Sequence, residues 1–294
     1  MIDHLTVRSY AKINLGLHIT KKRKDGYHDL ETVFYPVDIF DEIELRPYAD
    51  TVVVSCNHPH VPVNSTNLCV RAANALRAHL KHRDGLHITI RKNIPVGAGL
   101  GGGSSNAAAI LLALREFWQV DVSDTDLGTL AAGLGADVRY FLRPTAAFAT
   151  GRGDKLEYFD YTLPYWTVIV YPYIQISTTW AYENFQLRAE QRGKLRDLVE
   201  QHPYDLSLWQ AEMQNDFEET VFAEYPEIAE IKDILLRGGA GFALLSGSGS
   251  SVFALFESQI DAEDTADALL SDNQVFLSPP NFLPDFEGRE IRRS

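Results

Sequence analysis

At 294 residues, 45% of them hydrophobic and 23% charged, the chain has enough apolar surface for one or two packed domains and too little charge for a disordered one. Its formal net charge of −13 excludes a general binder of nucleic acid or of membrane surfaces, since both reward excess Lys and Arg, but leaves room for a local basic pocket. Two cysteines, Cys56 and Cys69, without CxxC spacing exclude a disulfide framework or zinc ribbon.

The first third reads as strands. "KINLGLHIT" alternates, "DEIELRPY" and "TVVVSC" follow, and "GLHITIRKNIP" alternates again. Between the last two, "NLCVRAANALRAHLKH" has helical spacing. The stretch "VGAGLGGGSS" then opens a helix expected from about Ser104 to Trp118. Ser123 caps a second helix, with Asp126 three residues on. "YWTVIVYPYIQIST" is β-branched and aromatic, a strand. A long helical region is expected from "TTWAYENFQL" through "YPEIAEIKDILLRGG". "GFALLSGSGSSVFALFE" reads as two strands around a Gly/Ser turn, and the tail "LSPPNFLPDFEGREIRRS" as turn-rich and peripheral. Strands and helices alternate irregularly, without the steady rhythm of a doubly wound sheet, so the expected fold class is α+β. A boundary near Asp160 divides the chain into residues 1–160 and 161–294. The N-terminus lacks a signal peptide's basic start and apolar block, and no apolar run reaches membrane-span length. With the cysteine usage, this predicts a cytoplasmic protein.

Five glycines fall within the seven positions Gly97–Gly103, followed by Ser104 and Ser105. A Walker loop is excluded, because Gly-Lys-Ser/Thr is absent. Gly97, Gly99 and Gly102 formally satisfy the dinucleotide fingerprint. That reading then needs a second strand bearing an acid about 20 residues on, and "QVDVSDTD" around Asp121 offers no strand. A tight strand-to-helix turn explains one or two glycines, not five. The remaining reading is a phosphate cradle of bare backbone N–H groups at a helix N-terminus, with Ser104 and Ser105 adding hydroxyls for phosphate or Mg²⁺. On it, valine at Gly101 or Gly102 should weaken binding of the phosphate-bearing ligand in a protein that still folds.

"PVGAGLGGGSSNAAA" resembles the phosphate-binding motif of the GHMP kinases, which phosphorylate small-molecule alcohols with ATP. "AKINLGL" and "LLSGSGSSVFALF" match that superfamily's other elements in order. Together with "DGYHDLETVF" and "GADVRYFL" they resemble its branch acting on 4-diphosphocytidyl-2-C-methyl-D-erythritol, over about Ser9 to Phe256. The resemblance implies an ATP-binding N-terminal domain like ribosomal protein S5 domain 2 and a ferredoxin-like C-terminal domain. It implies ATP with Mg²⁺, a small-molecule acceptor and no nucleic-acid or membrane partner, in a monomer or weak homodimer. Other superfamily acceptors (mevalonate, homoserine, a sugar) and a non-catalytic nucleotide binder are the alternatives.

Taken alone, Lys12 is a lysine on a strand's polar face and Asp137 a helix-end acid. The resemblance makes them the catalytic pair. A carboxylate can take the proton of an alcohol that becomes a nucleophile, and a nearby ammonium keeps that carboxylate ionised. The nucleotide side is assigned to Lys92, Pro95 and the loop from Gly97 through Gly99, Leu100, Gly101, Gly102 and Gly103 to Ser104, Ser105 and Asn106. On the acceptor side the resemblance gives Asn14, with Tyr27 and Phe34 binding cytidine and His28 bonding the cytosine edge. It adds Thr178 and Tyr182, the latter sandwiching the base, and Gly247, Ser248 and Gly249 at the acceptor's phosphate-bearing end. The family commonly has proline where this chain has Arg139, a guanidinium that could contact phosphate or face solvent. "CNHPH" at Cys56, His58 and His60 offers soft ligands in a proline-interrupted loop with no fourth in view, and reads as a surface loop.

Overall fold

A computed structural model describes residues 2–187 and 194–285. The alternating first third forms two long antiparallel strands, β1 (Leu5–Lys22) and β2 (His28–Tyr48), joined by the turn before Tyr27. Next come β3 (Val52–Cys56), α1 (Leu68–Leu80) and β4 (Gly85–Arg91), with β3 parallel to β4 and α1 as the crossover between them. Asn67 caps α1 by accepting the Cys69 N–H at 2.8 Å. Then follow α2 (Gly102–Phe117), α3 (Asp124–Leu134) and a 3-10 helix over Ala136–Leu142. Ser123 caps α3 as expected, accepting from the Asp126 N–H at 3.1 Å. β5 (Ala147–Gly151) and β6 (Lys155–Tyr158) complete a first sheet of order β3-β4-β2-β5-β6, with β1 also on β2.

The second sheet starts with β7 (Trp166–Tyr171), shorter than its apolar run because Pro172 cannot donate to a ladder. The helical stretch is not one long rod. It breaks into α4 (Thr178–Asn184), α5 (Leu195–Gln201), α6 (Leu206–Glu212), α7 (Glu218–Glu224) and α8 (Pro226–Arg237). Ser177 and Asp205 each start a helix as side-chain N-caps, and Pro226 takes the first position of α8. Residues 188–193 of the expected helical region lie outside the described residues. β8 (Phe242–Leu245) and β9 (Val252–Phe256) form the expected hairpin, followed by α9 (Gln259–Leu269) and β10 (Gln274–Ser278). The order β10-β7-β9-β8, all antiparallel, is the ferredoxin-like arrangement.

β1 threads three core clusters. Leu5 and Val7 pack under α1 and α2; Ala11, Ile13 and Leu15 pack with Ile169, Leu244 and Phe253 of the second sheet; Leu17 and Ile19 pack among α7, α8 and β9. Register shifts at Tyr10/Ala11 and Asn14/Leu17 let one strand turn successive faces to these clusters. The tail is not peripheral through residue 285. Ser278 Oγ accepts the Asp38 N–H, the Asn281 N–H donates to Leu163 O, and Tyr35 Oη donates to Phe282 O. These bonds tie both sheets together. Residues 286–294 of the expected tail lie outside the described residues.

Candidate active site

Between the sheets lies a cavity of about 1100 Å³, bounded by the glycine loop, the first turn of α2, the start of the 3-10 helix, the β1–β2 turn, α4 and the β8–β9 turn. Pro95 and the loop through Ser104 line it, as do Lys12, Asn14, Tyr27, His28, Phe34, Asp137, Thr178, Tyr182, Gly247 and Ser248. Asp216 and Asn215 hold its floor. The Asp216 carboxylate accepts the Ile19 N–H at 2.7 Å, and the Asn215 amide donates to Leu245 O and Gly247 O, both at 2.8 Å. No motif pointed to this asparagine.

The loop's backbone is turned by its surroundings. Lys12 N–H bonds to Leu100 O, Ser251 N–H to Ala98 O and Ile176 N–H to Gly97 O, so carbonyls face protein. No side chain caps α2, whose N-cap is Gly101 at φ 72°. Its first N–H groups are therefore left for a ligand. The glycines, however, are bare for two different reasons. A Cβ on Gly99 would stand 1.9 Å from the backbone oxygen of Ser246, one on Gly101 2.7 Å from the Phe141 ring, and one on Gly102 2.8 Å from Lys92 Nζ. Those three make room for protein. Gly103, whose Cβ would find only Leu68 at 3.7 Å, leaves that space open at the cavity wall. Valine at Gly101 or Gly102 would thus disturb packing, contrary to the sequence-based expectation.

Two loop assignments are corrected. Ser105 is buried and donates its hydroxyl to Tyr10 O at 2.6 Å, away from the cavity, so it does not serve phosphate or Mg²⁺. Gly249 is walled off by Ile176 and Leu245 and does not line the cavity. Lys92 and Asn106 border the cavity, yet both are tied to a residue that sequence reasoning missed. Asp41, 0% exposed, accepts from Lys92 Nζ at 2.6 Å, Asn106 Nδ2 at 2.7 Å, and the N–H groups of Asn93 and Ile94 at 2.7 and 2.8 Å. It anchors the loop's entry. Within "DEIELRPY" it carried no signal beyond an acid at a strand position that alternation gives to the core.

Lys12 is 3% exposed, and its ammonium donates to Asn14 Oδ1 at 2.5 Å and Gly99 O at 2.7 Å. Burial lowers its pKa, while the charge of Asp137 pulls it back up. Phe34 lies under this ammonium, its ring centre 5.4 Å away, rather than out at the rim. Asp137 starts the 3-10 helix, half-buried, where a Cβ on Gly153 would come within 3.7 Å of its Oδ1. Arg139 is exposed, lies over Gly128 of α3 and does not line the cavity.

At the far end, the His28 ring lies flat on Tyr182 at 5.0 Å, and Tyr182 meets Phe217 edge-on at 4.9 Å. Tyr27 is 57% exposed on the rim. Burial first, then Lys22, lowers the His28 pKa, which favours the neutral ring. Burial, helped by Asp137, pushes the Tyr182 phenol up to about 12. Thr178 and Ser248 bring their hydroxyls within 3.1 Å of each other. Lys12, Lys22, Lys92 and Arg152 line the cavity against Asp137 and Glu183, a positive lining in an acidic chain. His60, exposed in the "CNHPH" loop, also lines it, and no group of three metal-binding side chains gathers among the described residues.

Residues 67–143 match the family model of the GHMP kinases N terminal domain and residues 195–274 that of the GHMP kinases C terminal. A Chlorobium limicola protein named 4-diphosphocytidyl-2-C-methyl-D-erythritol kinase is 49% identical over 289 residues, 96% of this chain and 98% of that one. A Chlorobaculum tepidum protein of the same name is 44% identical over 96% of this chain and 99% of its own. A crystal structure of 4-(cytidine 5'-diphospho)-2C-methyl-D-erythritol kinase superposes with a TM-score of 0.80 at 31% identity, covering 95% of this chain and 100% of that one. A homoserine kinase from Cytophaga hutchinsonii, at 21% identity, TM-score 0.74 and 96% of both chains, shares the fold.

Proposed function

The chain belongs to the 4-diphosphocytidyl-2-C-methyl-D-erythritol kinases of the GHMP kinase superfamily, and from that premise we propose how its cavity works. It transfers the γ-phosphoryl group of ATP to the 2-hydroxyl of 4-diphosphocytidyl-2-C-methyl-D-erythritol, releasing the 2-phosphate and ADP, in non-mevalonate isoprenoid precursor biosynthesis. The observation that carries this reading is one continuous cavity that joins the uncapped N-terminus of α2 to the Tyr27–His28–Tyr182 cluster past Lys12 and Asp137. A kinase for a small acid or amino acid has no use for that aromatic end.

ATP phosphates lie against the N–H groups of Gly101–Ser104, with the helix dipole behind them. Asp137 accepts the proton of the acceptor hydroxyl. Lys12, fixed by Asn14 and Gly99, orients that hydroxyl and offsets the negative charge gathering at the transferred group. Positioning and charge neutralisation do most of this, because phosphoryl transfer passes through a loose transition state. Ser104 fits a magnesium ion carried in with ATP, since such an ion needs few protein oxygens. When bound, magnesium neutralises phosphate charge. Tyr27, His28 and Tyr182 receive cytosine, which requires the His28–Tyr182 stack to part. Thr178 and Ser248 supply hydroxyls to the phosphate-bearing end. The chain works in the cytoplasm as a monomer or weak homodimer. Its two free thiols suit a reducing compartment, and no helix among the described residues is long and apolar enough to cross a membrane.

Phosphorus NMR of a reaction with Mg-ATP and the cytidyl acceptor tests the assignment. One new phosphomonoester on the 2-oxygen should form in step with ADP. ADP without it, or a phosphate on another oxygen, would contradict the proposal.

A further inference from the structure

Arg152 is a cation of the cavity wall that phosphoryl transfer leaves unused. It sits in the turn Gly151-Arg152-Gly153 between β5 and β6, flanked by glycines with φ of 69° and 90°. The pairing of Gly151 with Leu30 of β2 sets that turn beside Tyr27 and His28. Asp154 braces it by accepting the Arg152 N–H at 3.0 Å. The guanidinium centre stands 5.1 Å from the middle of the Tyr27 ring, and its neighbour Gly153 lies against Asp137. Arg152 therefore bridges the aromatic rim and the reacting end.

Its side chain is 38% exposed, and its described carboxylate contact, Nη2 to Asp154 Oδ2, is 3.4 Å. That is long for a charge-assisted bond, which runs at roughly 2.7–2.9 Å, and it leaves most of the five guanidinium donors available. An acceptor that reaches from Tyr27 to Asp137 must lay its diphosphate between them. The hydroxyls of Thr178 and Ser248 can bond to phosphate oxygens but do not neutralise them, and Asp137 repels them. A planar guanidinium matches phosphate oxygens two at a time.

We infer that Arg152 grips the diphosphate of the cytidyl acceptor, as a substrate-binding residue that sets how far the acceptor reaches toward Asp137. The inference rests on the cytidyl acceptor occupying this cavity. Calorimetric titration of wild type, Arg152→Gln and Arg152→Lys with CDP and with cytidine tests it, alongside KM for acceptor and ATP. The glutamine variant should keep its melting temperature. It should lose about 10- to 100-fold in CDP affinity and show an acceptor KM raised by a similar factor, the range of a charge-assisted hydrogen bond. Cytidine affinity and the ATP KM should stay within about twofold of wild type, and lysine should restore part of the loss. Equal losses for CDP and cytidine would place the effect on the Tyr27 ring and overturn the inference. Unchanged CDP affinity would overturn it as well. Wild type that binds neither CDP nor the acceptor would overturn the functional reading itself, and this inference with it.

Discussion

Burial strips Lys12 of water, and the oxygens of Asn14 and Gly99 with Asp137 nearby stand in for it. Because burial outweighs the pull of Asp137, the ammonium is lost at a lower pH than that of an exposed lysine. The alkaline limb of kcat/KM should therefore fall below the ordinary lysine range. Stability moves the other way. The unfolded chain holds this proton to higher pH than the folded one, so the contribution of Lys12 rises as pH passes through its folded pKa. A melting temperature that collapses along with kcat/KM over that range would mean unfolding instead of titration. Asp137→Asn should lower kcat by about 10²- to 10⁴-fold, the usual worth of a positioned base, with acceptor affinity changed only a few-fold. Steady-state kinetics that return near-normal turnover would remove its role. Both residues stood out in the sequence only through the motifs around them. The direction of Ser105 did not, because neighbours on a helix point about 100° apart, and only the phase of α2 decides which serine meets the cavity.

The glycine loop was legible as an element, but its glycines answer to two masters. Gly103→Ala should leave the melting temperature equal or higher, since alanine exceeds glycine in helix propensity by up to about 1 kcal/mol. It should raise the ATP KM by crowding the phosphates. Gly99→Ala, by contrast, drives a methyl into Ser246 and should lower the melting temperature as well. Thermal melts with ATP titrations separate the two, and equal behaviour would refute the division. Asp41→Leu leaves Lys92 buried without its counter-charge and should cost about 3–5 kcal/mol in urea denaturation. A loss under about 1 kcal/mol would show that the ion pair does not anchor the loop. This hub was illegible because it joins residue 41 of β2 to residues 92–94, in the chain after β4, and to residue 106 of α2. Helix breaks in the second half were underread, because their caps and prolines are local while the apolar pattern runs on.

Over the whole molecule, the two sheets were legible as runs of strands, and their junction was not. Ile13, Leu15, Val33 and Tyr35 of the first sheet share one core cluster with Ile169, Phe242 and Phe253 of the second, and the tail bonds across both. β1 shows why: its alternation gives way to continuous burial from Ala11 to Ile19, a pattern that names no partner. The shared cluster predicts one cooperative unfolding transition, with circular dichroism and tryptophan fluorescence midpoints coinciding. Two separated midpoints would mean that the halves stand independently. The central claim, that this cavity passes phosphate from ATP to a cytidyl-linked alcohol, is tested most directly by coupled ADP release with Mg-ATP. The cytidyl acceptor, mevalonate, homoserine and galactose would be run side by side. Turnover confined to the cytidyl acceptor is the predicted result; turnover with another of these alcohols, or with none of the four, would contradict it.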